Sequence, residues 1–377
     1  MNTTSQIIFV AVFIFIFSFL LVPKKLSAQS NYFLAKGKVV DKNTRAPLAG
    51  ASVFAQNTTI GEATDSNGNF SIRLPTGGYS LVSTFTGYET ESIRVTASSE
   101  NDSLLFELNP EEKSLEAVTI SISNEVPDGW KQYGNFFTDH FIGQTQFSKL
   151  CFIKNPEVLH FYFSKKRNSL KVLAKEPLVV DNFALGYTLK FAIDSFVNNY
   201  NSGTNLFVGY PLFEEMQGTP EQQKMWNTNR ANAYNGSLLQ FMRSLYSQTL
   251  QEDGFEIQFI VNNNGQETPF RPGNVYGALN YLKDDSTKIV QFFPNQSDVA
   301  VIYKKADPEK SYLEHDSTAK KNFQLSTLIF PKDEKFYIEQ NGYFYEQEDL
   351  ITNGYLGFKK MGDMLPYNYE PGQQLAQ

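Results

Sequence analysis

The sequence predicts a mainly β protein: an N-terminal β-sandwich followed by a larger β-rich domain that carries a helical insertion. Three observations lead there. Short runs of alternating apolar and polar residues recur along most of the chain. Turn-forming pairs such as Asn67-Gly68 and Asn341-Gly342 punctuate them. Aromatic residues make up 15% of the chain, with 33 Phe and 20 Tyr, and such side chains fill the space between pleated sheets.

Before these runs comes a leader. Residues Ile7 to Val22 are apolar except for Ser18, Pro23 ends the run, and Leu26-Ser27-Ala28 supplies small residues before Gln29. That order predicts a signal peptide over residues 1–28, cleaved between Ala28 and Gln29, and hence export. The competing reading is a retained anchor, since MNTTSQ carries no Lys or Arg while Lys24 and Lys25 follow the apolar core. The full chain has a net charge of −7, and losing those two lysines makes it −9. An acidic chain of this kind lacks the footprint of a nucleic-acid binder and the polybasic segment expected for anionic lipid. Cys151 is the single cysteine, so no intrachain disulfide forms and stability must come from burial.

Residues 31–110 read as the sandwich. Phe33 to Val40 is its first run, Asp41-Lys42-Asn43-Thr44 a turn, and Ala51 to Ala55 the second run. Asn67-Gly68 separates Ala63-Thr64 from Phe70-Ser71-Ile72, Gly77-Gly78 precedes Tyr79 to Thr84, and Ser103 to Leu108 is the last run. Asp65, Asn67 and Asn69 alternate like the start of a calcium loop. Gly68 stands at the wrong position and no downstream Glu completes it, so a side-chain-capped turn is expected instead.

The residues Gly37, Val39, Asp41, Thr44, Pro47-Leu48, Gly50-Ala51 and Val53, then Thr64 to Phe70, Gly77-Gly78-Tyr79 and Gly87-Tyr88, resemble carboxypeptidase regulatory-like domains. The resemblance implies a seven-stranded, transthyretin-like sandwich without catalytic residues. Such domains accompany metallocarboxypeptidases and precede bacterial outer-membrane receptors, which implies a periplasmic or outer-membrane-associated protein of a Gram-negative bacterium. Residues 111–128 are expected to be a linker. Within it Leu115 to Ile120 resembles the segment that contacts the energy transducer in TonB-dependent receptors. A strand-forming hexamer explains the same letters, and the chain after Ile120 is too short for a plug and a large barrel.

The second domain, residues 129–371, shows period-two runs at Leu159–Phe163, Tyr187–Ile193, Phe255–Val261, Ile289–Phe293, Val299–Tyr303, Phe323–Phe330 and Phe336–Ile338. One helical exception is predicted over residues 219–253. Thr219 can cap it, Pro220 suits its first position and Gln222 completes a capping box. Ser237 offers a second cap and Gly254 a stop. Trp226, Arg230 and Tyr234 share one helix face at spacing four; they could hold a ligand, or Arg230 could stack between rings. This region also resembles the portion that follows the regulatory-like domain in a group of envelope proteins. The matching stretches are Pro177-Leu178, Leu185-Gly186-Tyr187, Arg230 to Arg243 and Asp363 to Tyr367.

The chemistry-bearing residues fail their spacing tests. His140, His160 and His315 form no His-x-x-Glu or His-Glu-x-x-His pattern, Ser237 lacks the Gly-x-Ser-x-Gly context, and Cys151 sits between apolar neighbours. No catalytic residue, metal or cofactor is expected. The expectation is an exported envelope protein that binds or scaffolds, with an envelope protein or glycan as partner and any membrane association made through that partner. An accessory of TonB-coupled uptake and a hydrolase with scattered acidic residues are the alternatives.

Overall fold

Alternation in the first part of the chain becomes alternating burial, as in β4, where Phe70, Ile72 and Leu74 point inward and their neighbours outward. The computed structural model describes residues 32–97, 103–111, 124–263, 265–330, 334–345 and 350–372. The expected cleavage site at Ala28 and Gln29 and the segment Leu115–Ile120 lie outside the described residues.

Seven strands form the N-terminal sandwich: β1 (Tyr32–Asp41), β2 (Ser52–Ala55), β3 (Gly61–Ala63), β4 (Asn69–Pro75), β5 (Tyr79–Thr84), β6 (Glu91–Val95) and β7 (Ser103–Leu108). One sheet has the order β4-β1-β7, with β1 and β7 parallel; the other is antiparallel, β3-β2-β5-β6. Between them lie Phe33, Val39, Val53, Phe70, Leu74, Tyr79, Leu81 and Phe106. The motif residues fasten turns. Asp41 accepts bonds from the amides of Asn43 and Thr44 and from the hydroxyls of Thr44 and Tyr88. Thr64 donates to the Leu48 carbonyl and accepts from the Ala51 amide. The Asp65 carboxylate caps its own turn through the amides of Asn67 and Asn69 and the Asn69 side chain. The Asn67-Gly68 pair departs from a tight hairpin with two positive φ angles, because only Gly68 takes one, at 76°.

Beyond the sandwich the chain builds two cores. The first lies under a six-stranded sheet of β8 (Cys151–Ile153), β9 (Leu159–Ser164), β10 (Ser169–Ala174), β11 (Leu178–Asn182), β12 (Tyr187–Asn199) and β13 (Thr204–Glu215). Helix α1 (Gly129–Phe141) covers it, burying Phe137 and Phe141 against Phe161, Phe191 and Phe196. The expectation of a single helical insertion is therefore corrected. Helix α1 holds two glycines and five aromatic rings counting Trp130, a composition with weak helix preference, and it is stabilised by what its rings bury. Asn124 to Val126, expected to be linker, instead pair with β9.

The insertion itself forms as the caps predict. Helix α2 (Pro220–Tyr234) starts at Thr219 with both capping-box bonds to Gln222. Helix α3 (Leu238–Ser247) is capped by Ser237, and α4 (Leu250–Asp253) stops at Gly254. Helix α3 buries Phe241, Met242 and Leu245 in the second core. That core belongs to a five-stranded sheet of β14 (Phe255–Asn263), β15 (Gln266–Phe270), β18 (Asp298–Tyr303), β19 (Gln324–Ile329) and β21 (Ile351–Asn353). A smaller sheet joins β16 (Leu282–Lys283), β17 (Val290–Phe292) and β20 (Phe336–Ile338). Short helices α5 (Val275–Ala278), α6 (Lys310–His315) and α7 (Gly354–Phe358) complete it.

The C-terminal segment then returns to the first core, where Met361 and Leu365 are buried. Arg243 holds this segment by donating to the carbonyls of Asn341, Tyr367 and Tyr369. The sandwich is seated on the same assembly. The Asn57 amide donates to the Pro211 carbonyl and the Phe213 amide to the Thr58 carbonyl, so the sandwich covers part of the β13 edge. The Tyr367 amide donates to the Asn57 carbonyl, and Asn341 donates to the Gly78 carbonyl. Arg94 of the sandwich pairs with the buried Glu339 and lies over the ring of Tyr345. Burial raises the Glu339 carboxyl above its usual range, against the pull of Arg94.

Candidate functional site

The face named from sequence is drawn inward. Trp226 is buried against Gly186, whose φ of 70° and missing Cβ leave room for the indole, and its Nε1–H donates to the Phe183 carbonyl at 2.9 Å. Arg230 is 3% exposed; it donates to the carbonyls of Leu185 at 2.7 Å and Gly186 at 3.1 Å, with the guanidinium 3.9 Å above the Tyr187 ring. Tyr234 packs on Tyr369 instead. The polar atoms of Trp226 and Arg230 thus serve the β11–β12 turn, and Arg230 also pairs with Glu215 at the end of β13, 3.8 Å away. The stack involves Tyr187, a residue of the sheet, rather than the two rings of the helix face.

The remaining singled-out residues are scattered. His140 stacks on Phe136 within α1, and His315 packs on Phe358. Burial pushes the Cys151 thiol up to about 12, with the Asp363 charge adding to the effect, so little thiolate forms near neutrality. Ser237 caps its helix. Among the described residues, no group of three or more His, Cys, Asp or Glu side chains could hold a metal ion.

A site that the sequence did not reveal lies where Asn124–Val126 join β9 and α1 begins. It is a groove of about 570 Å³ whose lining includes Glu125, Asp128, Trp130, Glu157, His160 and Phe161. Glu125 and His160 meet at 2.8 Å (Oε1 to Nδ1). Trp130, 36% exposed, lies along its helix because Gly134 has no Cβ, which would stand 2.9 Å from the indole. Its ring centre is 6.4 Å from that of Phe161. The groove therefore offers an accessible aromatic surface beside carboxylates and an imidazole, a set able to take apolar contact and hydrogen bonds together. The sequence signal was faint: Glu125 precedes, and Trp130 opens, a helix that propensity does not favour.

Seven strands in two sheets, with turns held by Asp41, Thr64 and Asp65, define a β-sandwich. Residues 35–120 match the family model of the CarboxypepD_reg-like domain. No curated protein matches the chain. Among solved structures, a 9R-lipoxygenase from Cyanothece PCC8801 shares 8% identity at a TM-score of 0.15, over 58% of this chain and 48% of that one. BcpA, the major pilin subunit of Bacillus cereus, shares 10% at a TM-score of 0.16, over 82% and 95%. The chain thus spans about half the length of the lipoxygenase, and neither similarity establishes a shared fold.

Proposed function

We propose that the protein is an exported cell-envelope binding or scaffold protein that acts without catalysis and holds its ligand, an envelope protein or glycan, in the Trp130 groove. The observation that carries this reading is the accessible indole beside Glu125, Glu157 and His160 in one concavity. Buried aromatic anchors supply much of the energy of such contacts, and the surrounding polar groups set orientation. The sandwich serves as a fixed module, since its Gln56–Thr58 loop is hydrogen-bonded to β13.

The test is capture of isolated envelope material, with glycan and protein read separately, by the full chain and by Trp130→Ala. Loss of a Trp anchor is expected to lower retention roughly tenfold or more. Unchanged retention would remove the groove from the proposal. A hydrolase reading has one supporting observation, the carboxylates of Glu125, Asp128 and Glu157 around the same concavity. Release of soluble fragments by the parent but not by Glu125→Gln or Glu157→Gln would replace binding with turnover.

A further inference from the structure

The β9–β10 turn carries Lys165, Lys166 and Arg167, and Lys171 follows on β10; all four are exposed. Among the described residues, none of the four takes part in an ion pair. A hairpin needs a residue such as Asn168, at φ 47°, to turn, but it does not need three adjacent cations. On a chain of net charge −7 this is a concentrated field of opposite sign, and it corrects the expectation, drawn from the acidity of the whole chain, that no basic segment suited to anionic lipid is present.

The turn is also held in place. Asn168 donates its side-chain amide to Asn201 at 2.8 Å, and the Tyr200 amide donates to the Asn168 carbonyl at 3.0 Å. Both acceptor and donor lie in the turn between β12 and β13, so two hairpin tips form one end of the sheet. Tyr200, 40% exposed, rests on Phe136 and Phe163. Tyr162, Lys171, Val197 and Leu206 stand directly across from one another on neighbouring strands, and so share a face. Leu206 is 45% exposed.

We infer that this paired hairpin end docks the protein on an anionic phospholipid surface. The charges provide the attraction and fix the orientation, because other approaches bring the acidic bulk toward the lipid. Tyr200 at the tip supplies what a soluble polyanion would not use, an amphipathic ring at the level of the headgroups, and Leu206 adds an aliphatic side chain on the opposite face of the sheet end. This contact adjoins the Trp130 groove, since Glu125 of the groove pairs with Tyr162, but it does not use the groove's indole.

The experiment is co-sedimentation of the full chain with vesicles of equal parts phosphatidylglycerol and phosphatidylcholine, and with vesicles of phosphatidylcholine alone. Binding is expected only to the anionic vesicles and only at low salt. The triple variant Lys165→Gln/Lys166→Gln/Arg167→Gln is expected to lower the partition coefficient roughly a hundredfold, about fivefold per charge. Lys310→Gln/Lys320→Gln/Lys321→Gln, which removes three exposed lysines elsewhere, should leave it within about twofold. Four results would overturn the inference: no binding to anionic vesicles at low salt, equal binding to neutral ones, equal losses in the two triple variants, or retention on polyphosphate without vesicle binding.

Discussion

The sandwich and the region that follows it are held together by bonds of different reach. In the sandwich, Asp41 and Asp65 cap turns two to four residues away, and the Thr64 hydroxyl reaches Leu48. In the second region, Arg243 donates to carbonyls 98, 124 and 126 residues distant. Asn182 reaches Gly362 across 180 residues, and Thr145 reaches Asp363 across 218. Local bonds give the sandwich turn chemistry that repeats at fixed offsets. Long-range bonds give the second region a set of buried and half-buried polar clamps whose partners have no fixed spacing. The sandwich is specified by its turns, and the larger region by a few side chains that each tie distant segments together.

The sharpest way to break the contrast is Arg243→Leu. Three carbonyls lose a charged donor at once, and the expected loss is about 3–5 kcal/mol. Chemical denaturation measures it; a loss under about 1 kcal/mol would mean that the clamp is not what closes the second region.

Next in size is a pH effect centred on Asp363. Burial raises its carboxyl to about 6, while Lys359 and the Thr145 hydroxyl pull the other way. A carboxyl whose folded pKa lies above its unfolded one holds its proton more tightly when folded. Stability is therefore greatest below the unfolded value and falls as pH rises toward 6, by up to about 3 kcal/mol. Asp363→Asn cannot ionise, and it should gain relative to the parent by that amount between about pH 4 and pH 7. Urea midpoints for both proteins across the window check this, and a constant difference would contradict it.

The smallest effect is expected in the sandwich. Asp65 is held below the usual carboxylate range, chiefly by the Asn69 amide and side chain, so its contribution has the opposite sign and is lost as pH falls. Asp65→Ala should lower the thermal midpoint slightly at neutral pH, with no difference between chelator and added calcium. A calcium-dependent rise in the parent, absent in the variant, would make the turn a metal loop.

What could be read in advance follows the same division. Thr219, Gln222, Ser237 and Gly254 marked the helices because caps are local. The seven strands of the sandwich were implied by the resemblance to carboxypeptidase regulatory-like domains, which rests on motif residues that fasten turns. Helix α1 was hidden because its glycines and rings argue against a helix until Phe161 and Phe191 are placed beneath it. The groove shared that fate, since it exists only where Asn124–Val126 meet β9. Trp226 and Arg230 were visible as a face, but the turn they serve, Phe183 to Gly186, lies more than a strand away and cannot be inferred from helical spacing.

The C-terminal strap has a consequence for biosynthesis. Asn368 donates to Thr59 and accepts from its amide across 309 residues, beside the bond from Tyr367 to Asn57. A ribosome releases Thr59 long before Asn368, at about 5–20 residues per second. The sandwich can thus complete its own turns early, while its seat waits some 15 seconds or more for the residues that finish it. During that interval the nascent chain contains a folded head and an unsealed body, and a chain broken off before Met361 would keep that open state permanently.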